Sequence, residues 1–143
     1  MNLKGLKEST KDIDFAVRTI DEFNLLKQSI EKIGYTTDEA LRKEAVYRDA
    51  LIVFKNKYGS RIDLFVNTIC SQLVLSDAMI ARSKEYKEYG KVKLMLISNE
   101  DMFLFKSLTD RLQDIDDCFV LINTGLDWQI ILNECIKQHR RDV

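Results

Sequence analysis

The sequence predicts an α/β fold: a small, mixed, twisted sheet with helices packed on one face, followed by a C-terminal set of helices from about Ser98 onward. Two observations lead to this prediction. β-Branched and aromatic runs with period-two alternation, such as DIDFAV and RIDLFV, are typical of strands, and apolar residues at helical spacing follow them. Because 143 residues suffice for one sizeable core, we expect residues 1–143 to form a single domain.

Composition excludes several classes of protein. The 22 basic and 23 acidic residues leave a net charge of -1, so the chain as a whole is not a strongly basic nucleic-acid binder. No apolar run is long enough to span a bilayer, and MNLKGLKEST lacks the apolar stretch of a secretion signal, so we expect a cytoplasmic protein without a membrane partner. Three widely separated cysteines argue against a disulfide framework and against a zinc site.

The first predicted strand, in STKDIDFAV, contains two acidic residues. Alternation places Asp12 and Asp14 on one face and the apolar side chains between and after them on the other. Like charges about 7 Å apart repel each other unless water, a basic group or a cation lies between them. The pair is therefore either part of a solvated face or part of a metal site.

A helix from about Ile20 to Ile33 follows this strand. Thr19 and Glu22 have the spacing of a capping box, and Gly34 supplies the end of the helix. The next segment, YTTDEALRKEAVYRDA, is compatible with a short helix or with a loop that leads into a strand, and its pattern does not choose between them.

The segment ALIVFKNKYGSRIDLFV predicts a β-hairpin around NKYGS. Alternation in its second strand places Arg61 and Asp63 on the face opposite Ile62 and Leu64. If this strand neighbours the first, Asp63 joins the other two acids, and we expect all three on one exposed face of the sheet, opposite the face that the helices cover. Three carboxylates suit two Mg²⁺ ions, whereas the alternative is a sheet face open to water with the acids solvated or paired to Arg61 and Lys11.

The C-terminal half predicts mainly helices. The pattern indicates a helix capped by Ser76 and ended by Gly90 in SDAMIARSKEYKEYGK, a short strand in VKLMLIS, a helix opened by Ser98 and Asp101, and helices from about Asp114 to Asn123 and from Asp127 to Gln138. Gly125 separates the last two helices.

Two groups in this half invite a functional interpretation. Lys106, Arg111, Asp114 and Asp117 could hold phosphate oxygens or simply form ion pairs between helices. Apolar residues of the final helix either mediate self-association, which would make the protein a homo-oligomer, or pack in the core; these residues are Trp128, Ile131, Leu132 and Cys135.

The order of the motifs GLKESTKDIDFAV, IGY, SRIDLF and SNEDMFLFKSLTDRLQDIDD resembles the minimal nucleotidyltransferase-like family of the DNA-polymerase-β superfamily, over about Gly5 to Ile131. The resemblance implies Mg²⁺-dependent transfer of a nucleoside monophosphate from a nucleoside triphosphate to a hydroxyl of RNA, of a protein or of a small molecule. It assigns two metal ions to Asp12, Asp14 and Asp63, and makes Asp63 a helper in deprotonating the attacking hydroxyl. Four further residues are expected at the nucleotide or bracing the helices beneath it: Lys106, Arg111, Asp114 and Asp117. Lys11 is expected at the nucleotide.

The sequence departs from that family in one respect. The family carries a Gly-Gly or Gly-Ser turn at a helix start, roughly ten or more residues ahead of its paired acids, where backbone N–H groups hold phosphates. Met1 lies too close to Asp12 for this element, so we expect it to be missing. Either it lies upstream of Met1, or the protein lacks it and binds nucleotide weakly or not at all. The alternative to an enzyme is a non-catalytic binding or assembly module of the same family, such as one half of a toxin–antitoxin pair.

Overall fold

A computed structural model describes residues 1–8, 12–37, 51–70 and 72–139 of the chain. It divides into two compact units, Met1–Leu75 and Ser76–Val143. Each unit is described by itself, and the single-domain organisation stays a prediction. Within the described ranges, no helix combines the length and the apolar character needed to cross a bilayer.

The first unit contains a small mixed sheet. Its elements are a 3₁₀ turn at Asn2–Lys4, β1 (Asp12–Val17), α1 (Ile20–Lys32), β2 (Thr36–Thr37), β3 (Leu51–Lys55), β4 (Arg61–Val66), β5 (Thr68–Ile69) and β6 (Leu73–Val74). The sheet has the strand order β1-β4-β3-β2; β1 runs parallel to β4 and the other neighbours are antiparallel. The predicted mixed α/β sheet is confirmed.

Helix α1 begins and ends where its local signals predict. The Thr19 hydroxyl accepts a hydrogen bond from the Glu22 amide, and the Glu22 carboxylate accepts one from the Thr19 amide, both at 3.2 Å. These two bonds satisfy amide groups that a helix start otherwise leaves without partners. Gly34, with a φ of 91°, lies beyond the C-terminal end in a conformation that favours glycine.

The hairpin between β3 and β4 also forms as predicted. The Asn56 side chain accepts hydrogen bonds of 2.9 Å from the amides of Tyr58 and Ser60, which fixes the connection. Residues on one face of the two strands pack against α1. This core contains Phe23, Ile30, Phe54, Ile62 and Leu64. The apolar face predicted from the alternation is thus the face that the helix covers.

The second unit begins with a short helix and a hairpin and ends with three helices. Its elements are α2 (Asp77–Arg82), β7 (Lys84–Tyr89), β8 (Val92–Leu96), α3 (Asn99–Lys106), α4 (Leu112–Ile122) and α5 (Trp128–His139). The C-terminal set of helices from about Ser98 is therefore confirmed. Ser98 caps α3 by accepting a hydrogen bond of 3.1 Å from the Asp101 amide.

The predicted helix from Ser76 to Gly90 is wrong in its second half. Ser76 does cap a helix, but that helix ends at Arg82, and the next residues form β7 paired with β8. The segment KEYKEY carries charges that suit an exposed helix as well as an exposed strand, and its pairing with VKLML decides the outcome. Gly90, with a φ of 61°, lies in the turn of this hairpin instead of ending a helix.

Two of the sequence-based interpretations concern residues outside the described ranges. Lys11, predicted to contact nucleotide, is one of them. The choice between helix and loop for YTTDEALRKEAVYRDA concerns mainly residues 38–50, which also lie outside the described ranges. Near the start of YTTDEALRKEAVYRDA the structure describes strand β2.

Candidate active site

Strands β1 and β4 bring three predicted site residues onto one face of the sheet. In their parallel register Asp14 stands opposite Asp63, and Asp12 stands opposite Arg61. Neighbouring strands lie about 4.8 Å apart, and side chains aligned in this way point to the same side. We call Asp12, Asp14 and Asp63 the carboxylate patch. The neighbouring placement expected from the sequence is confirmed, whereas the chemical roles stay predictions.

The three carboxylates have different surroundings. Asp12 and Asp14 are exposed, but Asp63 is only 8% exposed. The expectation that all three lie on an exposed face is thus wrong for Asp63. Val53 of β3, which stands opposite Asp63, and Phe65 of β4 share its face and are buried as well, so this part of the face is covered, whereas β1 lies at the sheet edge. A buried carboxylate requires a charged or hydrogen-bonding partner.

Arg61 supplies that partner. Its Nε donates to Oδ1 of Asp63 and its Nη2 donates to Oδ2, each at 2.6 Å. The two residues lie two positions apart on β4 and therefore on the same face. This bidentate pairing is the arrangement foreseen as the alternative to a metal site, at least for Asp63.

The patch fits a hard metal ion in its donor atoms but not in its described arrangement. Carboxylate oxygens are the ligands that Mg²⁺ prefers. Among the described residues, however, no group of three or more His, Cys, Asp or Glu side chains is arranged to hold a metal ion. Both oxygens of Asp63 are engaged by Arg61, so a metal would need Asp63 to exchange partners.

The second predicted group forms an ion-pair network between α3 and α4, which we call the lysine cluster (Lys106, Arg111, Asp114 and Asp117). Nζ of Lys106 contacts Asp114 at 2.8 Å and Asp117 at 3.1 Å. Arg111 donates to the second oxygen of Asp114 at 2.6 Å. The ion pairing expected as one alternative is present, and a contact with nucleotide stays a prediction.

Two pKa values in the lysine cluster are shifted. Burial acts to raise the pKa of Asp114, but hydrogen bonds from Lys106 and Thr109 outweigh it and hold the pKa below its ordinary value. Burial acts to lower the pKa of Lys106, and hydrogen bonds to Asp114 and Asp117 reverse the effect and raise it. Asp114 and Lys106 are therefore both held in their charged forms at neutral pH.

A cavity of about 300 Å³ adjoins the lysine cluster. Lys106 and Thr109 line it together with Phe103, Cys118 and Phe119. Apolar walls beside a few polar groups are typical of small-molecule sites. The cavity therefore offers an apolar surface next to a positive charge within the second unit.

One buried ionic network was not anticipated. The Arg82 guanidinium binds Asp101 at 2.5 Å and Glu134 at 2.9 Å, and both acids are almost completely buried. Burial acts to raise the pKa of Glu134, but hydrogen bonds from Arg82, Ser76 and Gln138 lower it below its ordinary value. The partners lie 19 and 52 residues from Arg82 in the chain, so no local spacing signals them.

The apolar residues of the last helix are only partly core residues. Ile131 is buried, but Trp128 and Leu132 are about half exposed and Cys135 is exposed. Core packing thus accounts for Ile131 and not for the other three residues. Self-association through this helix stays a prediction.

Comparison with solved structures finds a likeness to the crystal structure of the lincosamide antibiotic adenylyltransferase LnuA with lincomycin bound. The two chains share 19% sequence identity at a TM-score of 0.48, and the match covers 78% of this chain and 72% of that chain. No protein-family model matches the chain, and no curated protein matches it significantly. A likeness at this level transfers neither family membership nor activity to this chain.

Proposed function

We propose that this chain is a Mg²⁺-dependent nucleotidyltransferase that moves a nucleoside monophosphate from a nucleoside triphosphate to a hydroxyl group. The observation that supports this most directly is the register of β1 with β4, which aligns Asp14 with Asp63 and leaves Asp12 two residues away on the same face. The acceptor is RNA, a protein side chain or a small molecule. We place the reaction in the cytoplasm, on the basis of the sequence.

In this reaction the acceptor oxygen forms a bond to the α-phosphorus of the nucleoside triphosphate. The bond from that phosphorus to the bridging oxygen breaks, and pyrophosphate leaves with the electron pair. Asp12, Asp14 and Asp63 would hold two Mg²⁺ ions, which supply charge stabilisation at the attacking and leaving oxygens. The carboxylate of Asp63 assists removal of the acceptor's proton, which requires its release from Arg61.

The lysine cluster and Lys11 belong to the proposal as nucleotide contacts. Support for the cluster comes from the adjoining cavity, because an aromatic base suits its apolar walls and Lys106 provides a positive charge beside it. Against this, the charge of Lys106 is already balanced by Asp114 and Asp117. A direct binding measurement is therefore needed for this group separately from the carboxylate patch.

A second function has one observation in its favour. The ion pair between Arg61 and Asp63, with no described three-ligand group, suits a non-catalytic nucleotidyltransferase-like module that binds a partner, as in a toxin–antitoxin pair. In such a module the pair would be permanent. The two functions differ in whether the patch responds to nucleotide and Mg²⁺.

Calorimetric titration with each of the four nucleoside triphosphates and Mg²⁺ tests the proposal. We expect heat of binding for at least one nucleotide, and a loss of affinity of about tenfold or more in Asp14→Asn. Asp21→Asn is the matched control, because it removes an exposed acidic charge of the same unit at the start of α1. No heat with any nucleotide would reject the enzyme in favour of the binding module, and equal affinity in both variants would remove the patch from the site.

A further inference from the structure

Helix α4 carries a row of exposed apolar side chains. Leu112, Ile115, Phe119 and Ile122 recur at the three- and four-residue spacing that places side chains on one side of a helix, and we call them the α4 stripe. Leu112 is 81% exposed and Phe119 is 62% exposed. The buried residues of this helix, among them Leu121, lie on its other side. Packing in the core therefore does not account for the α4 stripe.

The exposed apolar surface continues from α4 across α3 onto α5. Phe103 of α3 lines the cavity together with three residues of the α4 stripe, and its ring meets the Trp128 ring edge-on at a centroid distance of 5.5 Å. Leu132 follows Trp128 about one turn later on α5, and both are about half exposed. We call the α4 stripe, Phe103, Trp128 and Leu132 the apolar face. It is continuous over three helices of the second unit.

The charge beside the apolar face is already balanced. Lys106 is the charged residue that lines its cavity, and Asp114 and Asp117 both bind the Lys106 ammonium group. Aromatic side chains with few charges among them are typical of the centres of protein interfaces. A charged partner such as a nucleic acid would gain little here, so the surface that covers this face is expected to be apolar itself.

The area of the apolar face is larger than a monomer usually exposes. At about 200 Å² for a fully exposed large apolar residue, the exposed fractions of the α4 stripe, Trp128 and Leu132 amount to roughly 650 Å². The largest apolar patch on a typical monomer is about 300–600 Å². Because homodimer interfaces are about 65% apolar, this area corresponds to about 1,000 Å² per partner, whereas a standard interface needs about 800 Å².

We infer that two copies of this chain associate through the apolar face in a two-fold symmetric dimer. In such a dimer the same surface serves both partners, so an apolar face on one copy meets an equally apolar face on the other. The face also places the half-exposed indole of Trp128 beside a cavity of about 300 Å³, so the indole of each copy can enter the cavity of the other.

This inference goes beyond the proposed function and does not depend on it. A nucleotide base in the cavity would compete with the partner copy for the same space. The association is therefore measured in the absence of nucleotide.

Sedimentation equilibrium of the full chain over a range of micromolar concentrations tests the inference. We expect a mass that approaches twice the 16.7 kDa of one chain. Phe119→Glu should raise the Kd of the dimer about thirtyfold or more, because it places a charge within an apolar interface. Leu25→Glu is the matched control, since Leu25 is also 62% exposed but lies on α1 in the first unit. It should leave the Kd unchanged.

Three results would overturn the inference. The mass of a single chain throughout the concentration range would mean that a different partner, or none, covers the apolar face. A dimer that forms equally well in Phe119→Glu would place the interface elsewhere on the molecule. An equal loss of the dimer in Phe119→Glu and Leu25→Glu would show that the effect of an added charge is not specific to this face.

Thermal melting detects a folding defect in Phe119→Glu. If that variant is unfolded, Leu112→Glu decides the question, because Leu112 is the most exposed residue of the α4 stripe. Leu132→Glu extends the test to α5. Both variants should weaken the dimer as Phe119→Glu does, and a Kd equal to that of the unaltered protein in both would contradict the inference.

Discussion

Asp14 of β1 and Asp63 of β4 stand opposite each other in a parallel pairing, yet the first is exposed and the second is buried and held by Arg61. The two aspartates on neighbouring strands therefore have different electrostatic surroundings. Removing the charge of Asp63 leaves the guanidinium of Arg61 without this partner, whereas the charge of Asp14 lies close to solvent.

This contrast predicts different effects on stability. Asp63→Asn should lower the free energy of unfolding by about 1–3 kcal/mol, because two charge-assisted hydrogen bonds of a buried group are weakened. Asp14→Asn should change it by less than about 0.5 kcal/mol, as for most surface substitutions. Urea denaturation at neutral pH measures both. Equal losses would show that the two carboxylates have similar surroundings.

The core beneath α1 predicts a second pair of effects. Leu64 is completely buried and Ile13, on the same face of the sheet, is 48% exposed. Leu64→Ala should cost about 2–5 kcal/mol through lost burial and the cavity left behind, and Ile13→Ala should cost well under half as much. Denaturant unfolding followed by circular dichroism measures the two values. A similar cost at both sites would contradict the described burial.

Arg82 should be the most sensitive charged residue of the second unit. Arg82→Met leaves Asp101 and Glu134 buried without their common counter-ion, and removal of one partner of such a network costs about 3–5 kcal/mol. Lys137→Met, at an exposed position of α5, is the control and should have little effect. Melting temperatures compare the two variants. Equal melting temperatures in the two variants would mean that the network contributes nothing to stability.

The lowered pKa of Asp114 predicts that the stability of the protein depends on pH. Its pKa in the folded state lies below the ordinary value of 3.8, so the unfolded state binds more protons between the two values and stability rises with pH there. The contribution of Asp114 is complete above its ordinary pKa and is lost as the pH falls through the folded-state pKa.

Urea midpoints measured from about pH 6 down to about pH 3 follow this loss. Asp114→Asn should show a smaller decrease with acid than the unaltered protein, because one of the groups responsible has been removed. Asp110→Asn, an exposed neighbour, should retain the full decrease. If Asp114→Asn decreases as steeply as the unaltered protein, other carboxylates cause the acid sensitivity.

Arg111 separates nucleotide contact from bracing in the lysine cluster. Its side chain is 61% exposed, so its ion pair with Asp114 contributes at most about 1 kcal/mol to stability. If the cluster binds nucleotide as predicted, Arg111→Gln should weaken calorimetric binding of the nucleoside triphosphate several-fold while the melting temperature changes little. Lys137→Gln is the control for charge. Unchanged nucleotide affinity would leave the cluster as a brace between α3 and α4.

Much of the first unit could be predicted because its signals are local. The capping box of Thr19 and Glu22 and the turn around Gly59 each lie within a few residues, and alternation alone separated Asp63 from Ile62. The prediction that Asp63 joins Asp12 and Asp14 required β1 and β4 to be neighbours, and the structure shows that the two strands pair.

The remaining features depend on contacts between different strands and helices, which local sequence patterns do not indicate. Asp63 is buried together with Val53 and Phe65 on the same face of the sheet, and alternation along one strand cannot reveal that this face is covered. Arg82 finds its acids on α3 and α5, far along the chain. The end of α2 at Arg82 was missed because KEYKEY contains good helix formers, and only its pairing with β8 makes it a strand.

The β7–β8 hairpin has a consequence for association between molecules. All six residues of β7 are exposed, and four of them are lysine or glutamate. In the part of the chain that the structure describes, this ribbon consists of two strands only, so each strand has one edge without a neighbouring strand. Another polypeptide adding itself to the β7 edge would have to strip water from those charged side chains, and the irregular register between Glu85 and Lys87 disturbs the row of amides it would need. The hairpin thus presents an open backbone edge that resists fibrous growth.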